Sequence, residues 1–297
     1  MKRQVLAALS IITVGLMAGC GGGGGSDSGV TATSTTINGK VADGYLSGAE
    51  VFLDKNGNYQ WDGGETKAIT DGNGAYHMTV PTADAAMYPM VARAIGGTTI
   101  DMDNPNMPIT NSYVICAPAG YPEFISPMST LIREKMLADP NMTLTEAMTQ
   151  LRNQMNLPAG IDMMADYVAG SHSGVNETHH QTMHTTAQQM ASLISGQSAL
   201  VMPDGKNVIV NRYHSMMATI NANMSGIAAN VENHLDEHST FMTTMMTTMK
   251  AQMGAISTTG GFMNYSSMFR NMTSSRYFWS TSSGTTTPMT PMSGGMM

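Results

Sequence analysis

The chain has 297 residues, of which only 12% are charged, and its formal net charge is −7 at pH 7. Acidic residues outnumber basic ones, 21 to 14, and two of the basic residues, Lys2 and Arg3, lie at the extreme N-terminus. This balance argues against a nucleic-acid partner, because nucleic-acid-binding proteins rely on a basic surface. We therefore expect no nucleic-acid partner, and no pattern in the chain indicates a small-molecule substrate.

A leader segment occupies the first residues of the chain. An apolar run follows Lys2 and Arg3 and ends at Ala18-Gly19-Cys20. A basic start, an apolar run too short to span a bilayer and small residues before a cleavage point indicate a secretory signal over residues 1–19. Leu16-Met17-Ala18-Gly19-Cys20 resembles the lipobox of bacterial lipoproteins, which implies that Cys20 is acylated. An ordinary signal peptide with an incidental cysteine is the alternative.

Residues 20–36 are rich in glycine and serine and predict a flexible tether. Gly21 stands where an aspartate would favour inner-membrane retention, so the lipoprotein resemblance implies the outer membrane. We expect a lipid-anchored protein on the periplasmic or the cell-surface face, where an envelope or surface protein is a candidate partner. Cys116 is the only other cysteine, so no disulfide within the mature chain is expected.

Short apolar runs after the tether predict strands, and turn-forming residues separate them about every ten residues. The runs are Ile37–Ala42, Ala49–Leu53, Lys67–Thr70, Ala75–Val80 and Tyr88–Ala94. This spacing is typical of a small antiparallel sandwich. We assign residues 37–120 to such a module.

Residues 54–65 have the spacing of a calcium-binding loop. Oxygen-bearing side chains occupy positions 1, 3, 5, 9 and 12 of the twelve-residue loop, and position 7 offers its backbone carbonyl. In this order the candidate ligands are Asp54, Asn56, Asn58, Asp62 and Glu65, with Gln60 supplying the carbonyl. Such oxygen ligands suit a hard cation, and a terminal glutamate can bind it bidentately. An ordinary polar hairpin loop is the alternative.

The loop and its flanks resemble a known family. Gly39-Lys-Val-Ala-Asp-Gly-Tyr45 before the loop and Thr70-Asp-Gly-Asn-Gly-Ala-Tyr76 after it resemble the prealbumin-like B-type repeats of bacterial surface proteins. Those repeats are related to carboxypeptidase regulatory modules, and the resemblance implies an Ig-like sandwich with calcium in the loop. Tyr59 departs from the pattern, because such loops usually carry glycine there. A strained turn with three carboxylates implies weak binding, with Kd about 10⁻⁴ to 10⁻³ M.

Helical signals dominate residues 121–256. Ser126-Pro127 predicts the start of a helix through Ala138, and Thr143-Leu-Thr-Glu146 is a capping box for a second helix. Residues 125–166 resemble a helical extension that follows such sandwiches in proteobacterial lipoproteins. We predict a third helix over 176–194 and a long fourth helix over 212–256. The fold class is therefore α+β and multidomain, and residues 257–297 form a low-complexity mobile tail.

Methionine is the unusual component, with 32 residues in the chain. Many lie where a core would accept leucine, which favours packing. Thioethers and imidazoles also suit Cu(I), so a copper-binding protein is the alternative, and a reversible oxidant sink is a third interpretation. The candidate copper ligands are His179, His180, His184, His234, His238, Met242, Met245 and Met249. The two histidines at 234 and 238 would share one face of the fourth helix, within reach of the third.

His234-Leu-Asp-Glu237-His238 matches the inverted zinc-protease signature. Such enzymes take a third zinc ligand from a downstream glutamate, and no Asp or Glu follows His238. We therefore expect no enzyme and treat a zinc hydrolase as the last alternative. The favoured function is a non-catalytic binding or structural protein of the envelope with a calcium-stabilised Ig-like module.

Overall fold

The computed structural model of the chain describes residues 33–172, 174–256 and 258. Within these residues it contains nine strands and nine helices, so the protein is α+β as predicted. The predicted signal peptide, the lipidation site Cys20, most of the tether and nearly all of the tail lie outside the described residues.

The strands cluster in the first part of the described chain. They are β1 (Ser34–Val41), β2 (Leu46–Ser47), β3 (Glu50–Leu53), β4 (Lys67–Ile69), β5 (Ala75–Pro81), β6 (Met90–Ala94), β7 (Ile100–Asp101), β8 (Tyr113–Ala117) and β9 (Phe124–Ile125). The helices are α1 (Thr82–Met87), α2 (Pro127–Ala138), α3 (Leu144–Gln154), α4 (Tyr167–Gly170), α5 (Glu177–Ser195), α6 (Ser198–Val201), α7 (Val210–Ala222), α8 (Met224–Glu232) and α9 (Thr240–Gly254).

The strands form three small sheets with the orders β5-β1-β9, β2-β7 and β4-β3-β6-β8. All pairs are antiparallel except one, since Lys40 and Val41 of β1 pair in parallel with Phe124 and Ile125 of β9. The three-stranded sheet is therefore mixed, which differs from the antiparallel expectation. Its third strand comes from the segment directly before α2, so the first helix of the predicted helical region begins at a sheet.

Helix α2 closes the open edge of the four-stranded sheet. Ser126 caps α2 by accepting the N–H of Ser129, and Pro127 is its first residue, as the sequence predicts. The hydroxyls of Ser129 and Thr130 bond the carbonyl and the N–H of Cys116 in β8, at 2.7 and 2.8 Å. Because β8 is an edge strand, these hydroxyls satisfy backbone groups that a further strand would otherwise pair. Burial raises the pKa of the Cys116 thiol to about 12, so this buried thiol stays protonated and unreactive.

One hydrophobic core extends through the described chain, from Ile37 to Met253. The described residues from Thr33 onward also form one compact unit. Residues on both sides of the boundary that the sequence predicts near residue 120 belong to this core, and β9 lies after that boundary. In the part of the chain that the structure describes, no helix combines the length and the hydropathy needed to cross a membrane.

The long fourth helix predicted over 212–256 is wrong. The structure divides this stretch into α7, α8 and α9, and the residues between Glu232 and Thr240 lie outside helices. Asn223 separates α7 from α8, and His234 has a left-handed φ of 55°, which ends the second of these helices. Ser239 then caps α9 by accepting the N–H of Met242.

Candidate calcium loop and the buried network behind it

The candidate loop connects β3 to β4, which pair antiparallel, so it spans the end of a hairpin. Asp54 follows β3 directly and is only 1% exposed. Its Oδ1 accepts the N–H groups of Gly57 and Asn58 at 2.8 and 3.2 Å, and its Oδ2 accepts the N–H of Tyr59 at 3.1 Å. The first half of the loop therefore wraps around one carboxylate, as aspartate favours in turns.

Three of the predicted ligands meet at one point. The amide Nδ2 atoms of Asn56 and Asn58 each lie 2.7 Å from Asp62 Oδ2. Glu65 closes the loop, because its two carboxylate oxygens accept the N–H groups of Lys55 and Asp62 at 2.7 and 2.9 Å. Positions 3, 5 and 9 thus converge, while position 12 joins the two ends of the loop.

The donor set suits calcium in its chemistry. A cation at the meeting point would take the amide oxygens of Asn56 and Asn58 and the carboxylate of Asp62, and it would replace the bonds that the amide nitrogens make to that carboxylate. Among the described residues, however, no group of three or more His, Cys, Asp or Glu side chains could hold a metal ion. The amide oxygens and a backbone carbonyl are therefore required, and a site with few grouped carboxylates binds weakly.

Tyr59 occupies position 6 of the loop with a φ of 61°, in the left-handed region. This is the position at which the resemblance implies glycine, because a side chain makes that conformation costly. Nevertheless the Tyr59 ring is fully buried, and its centroid lies 4.4 Å from that of Tyr213 in α7. A strained residue persists only where its surroundings hold it, and here the helices provide those surroundings.

A buried polar network surrounds the Tyr59 hydroxyl. It donates to Glu134 Oε1 at 2.5 Å, and Arg133 donates both to the hydroxyl and, at 2.9 Å, to the same carboxylate oxygen. The imidazole Nδ1 of His214 lies 2.8 Å from Glu134 Oε2. Burial, followed by the Glu134 charge, raises the pKa of Tyr59 well above its usual value, so the phenol stays protonated and donates. Residues of α2 and α7 thus meet at the side chain of a loop residue.

Glu134, Arg133 and His214 are not among the site residues that the sequence predicts. A signal was present, because three consecutive charged residues at 133–135 lie between Ile132 and Met136 in a helix that begins at a strong cap. A charged run with apolar neighbours on both sides in a helix indicates charges that are buried and need partners.

The candidate copper ligands lie in three parts of the structure, namely α5, the turn between α8 and α9, and α9. His179, His180 and His184 lie on α5, and His184 Nε2 is 2.7 Å from Asp103 Oδ2. His234 and His238 lie in the turn between α8 and α9, where the side chain of the second is 81% exposed. The prediction that these two share the apolar face of one helix is therefore wrong. The residues of the zinc-protease signature lie in the same turn and not on a helix.

The methionines of α9 face the core. Met242, Met245 and Met249 are 1%, 5% and 1% exposed. Fifteen methionines in the described part of the chain are buried, and only Met87, Met102 and Met107 are exposed. This distribution favours packing over an open thioether site.

Comparisons with known proteins identify no relative: no family model, no curated protein and no solved structure matches this chain.

Proposed function

We propose that this is a non-catalytic, lipid-anchored protein of the cell envelope whose loop at residues 54–65 binds calcium and stabilises an Ig-like module. The observation that carries the proposal is the convergence of Asn56, Asn58 and Asp62, in which the amide groups at positions 3 and 5 each lie 2.7 Å from a carboxylate oxygen of the residue at position 9. The left-handed backbone at position 6 supports it, since such loops turn sharply there. The Ig-like sandwich and the Met-rich helical domain behind it belong to the same proposal.

Calcium would act here by mass action. A cation that binds the folded loop and not the unfolded chain adds about 2.7 kcal/mol of stability when free calcium is about 100 times Kd. With Kd about 10⁻⁴ to 10⁻³ M, 10 mM calcium is about 100 to 10 times Kd and stabilises the fold by about 2.7 to 1.4 kcal/mol. The lipid anchor and the outer-membrane location are proposed from the lipobox-like leader, which lies outside the described residues.

Asp62→Asn is the sharpest test, because it removes a charge at the convergence point and keeps the size of the side chain. Asp54→Ala is less informative, since Asp54 accepts three backbone N–H groups and its loss destabilises the loop with or without calcium. Asp71→Asn is the matched control. Asp71 accepts the N–H groups of Asn73 and Ala75 in the turn before β5, outside the candidate loop.

The purified mature protein, with Trp279→Phe as background, is titrated with calcium and observed through Trp61. The Trp61 indole donates to the carbonyl of Glu65 at 3.0 Å, so it reports on the closing ligand. We expect 10 mM calcium to raise Tm by several degrees in the parent and in Asp71→Asn, and to leave Tm unchanged in Asp62→Asn. An equal rise in all three proteins, or none in the parent, would overturn the proposal.

Copper binding gains less support. Cu(I) would reach the sulfurs of Met242, Met245 and Met249 only if α9 left its place, since all three are buried. A Cu(I) titration of the folded protein, followed by circular dichroism, tests this alternative.

A further inference from the structure

Tyr59 contacts both the candidate loop and the helices α2 and α7. Its backbone N–H donates to Asp54 Oδ2, the first candidate ligand, at 3.1 Å. Its side chain lies among the helices, where the hydroxyl bonds Glu134 of α2 and the ring contacts Tyr213 of α7. A change in the loop backbone at residue 59 therefore moves the group on which the two helices meet.

The buried network opposes any movement of the Tyr59 side chain relative to the two helices. Glu134 is fully buried and joins three partners through its two oxygens, namely Tyr59, Arg133 and His214. The Arg133 guanidinium also lies over the Tyr59 ring, 4.6 Å from its centroid. Moving the tyrosine would break several bonds in a low-dielectric interior, where unpaired polar groups are costly.

We infer that Tyr59 is a positioning residue that couples cation binding at the loop to the packing of α2 against α7. The inference rests on the proposed calcium site. The helices hold residue 59 in the left-handed conformation that the loop requires, and so prepare the loop for the cation. Coupling between two sites is reciprocal, so a bound cation must in turn strengthen the contact between the helices.

Hydrogen exchange of the mature protein, with and without 10 mM calcium, measures the coupling in the helices. Global stabilisation slows exchange everywhere, so β5 serves as the internal reference, since it packs mainly against β1, β4 and α1 and not against α2 or α7. We expect calcium to slow amide exchange in α2 and α7 at least threefold more than in β5. Trp61 fluorescence of the same samples, on the Trp279→Phe background, reports binding itself.

Two variants separate positioning from general destabilisation. Tyr59→Phe removes the hydroxyl that Glu134 accepts and keeps the buried ring. Tyr76→Phe is the matched control, because Tyr76 is a buried tyrosine of β5 whose hydroxyl bonds the carbonyl of Pro122 at 2.6 Å, away from the loop. We expect Kd for calcium to rise three- to tenfold in Tyr59→Phe and to stay within twofold of the parent in Tyr76→Phe.

The outcomes distinguish the two proposals. Calcium binding with equal slowing of exchange in α2, α7 and β5 overturns the coupling and leaves the calcium loop standing. Equal Kd values in the two tyrosine variants overturn it as well. An absence of any Trp61 response and of any exchange change in the parent protein overturns both proposals, and this measurement needs no variant to fold.

Discussion

The hydroxyl of Tyr59 donates a 2.5 Å hydrogen bond to Glu134 Oε1, and this bond joins the turn after β3 to helix α2. The two residues are 75 positions apart in the chain. The sequence places one in a polar loop and the other in a helix, and neither environment by itself suggests burial. Both side chains are nevertheless fully buried. A loop that could have been a solvated hairpin therefore contributes one aromatic ring, that of Tyr59, to the core.

Glu134→Ala should destabilise the protein strongly. It leaves the buried Arg133 without its carboxylate and removes the acceptor of Tyr59. Breaking a buried ion pair by deleting one partner costs about 3–5 kcal/mol. Urea unfolding followed by circular dichroism measures the loss, with Glu232→Ala on the exposed end of α8 as the control. A loss below 1 kcal/mol would show that water or another group replaces the carboxylate.

The starts of two helices and the position of the candidate loop could be predicted from local signals. The starts of α2 and α3 follow from Ser126-Pro127 and from the capping box at Thr143, because caps satisfy backbone groups within a few residues of the signal. The position of the candidate loop follows from its spacing for the same reason. These signals are local, so a single sequence carries them in full.

The remaining features depend on contacts between distant segments. The parallel pairing of β1 with β9 joins residues about 85 positions apart, and no local pattern specifies it. The break after α8 escaped prediction because the apolar spacing continues through it, while His234 takes the left-handed turn without a glycine or proline to mark it. The burial of Tyr59 likewise depends on helices that follow much later.

Lys135 provides a prediction about pH. It lies in α2 at 1% exposure, and its Nζ has no hydrogen-bond partner among the described residues. Burial lowers its pKa from 10.5 to about 7. The unfolded chain therefore binds more protons than the folded one between pH 7 and 10.5, so this lysine makes stability rise with pH in that window.

Lys135→Met should stabilise the protein, by up to about 5 kcal/mol below pH 7, because the charged amine no longer has to be buried. The gain should shrink as pH rises above 7 and should vanish above 10.5, where the lysine is neutral in both states. Unfolding free energies at pH 6 and pH 9.5 measure the difference. Lys250→Met, at an exposed position of α9, is the control. A gain that is the same at both pH values would contradict the prediction.

Asp43 has the opposite pH dependence. Burial, then the charge of Asp101, raises the pKa of this carboxyl well above its usual value, and only its Oδ2 is paired, with the hydroxyl of Tyr113 at 2.7 Å. The carboxylates of Asp101 and Asp103 lie close to Gly44, the residue that follows Asp43. A Cβ added to Gly44 would lie 2.3 Å from an oxygen of Asp101 and 2.6 Å from an oxygen of Asp103. The folded state retains the Asp43 proton longer than the unfolded chain, so stability falls as pH rises above about 4.

Asp43→Asn should therefore leave stability nearly unchanged at pH 4 and increase it at pH 9, since the amide oxygen can still accept from Tyr113. The increase is expected to be several kcal/mol, because above pH 4 the folded acid must either keep its proton or bury its charge, and the amide does neither. Chemical unfolding at the two pH values tests it. Asp162→Asn, at an exposed position, should show no such difference. A larger benefit at the lower pH would reverse the assigned direction of the pKa shift.

Met249 distinguishes packing from metal capture. It is 1% exposed on the inner face of α9, so its sulfur contributes volume to the core. Met249→Leu should cost less than about 1.5 kcal/mol, because the two side chains have similar volumes, whereas Met249→Ala should cost about 2–5 kcal/mol. Met87→Ala, at a position 62% exposed, should change stability by less than about 0.5 kcal/mol. The opposite result would be tight Cu(I) binding by the parent protein that Met249→Leu abolishes while α9 stays helical. In that case the thioethers on this face of α9 would be copper ligands, and packing would not explain them.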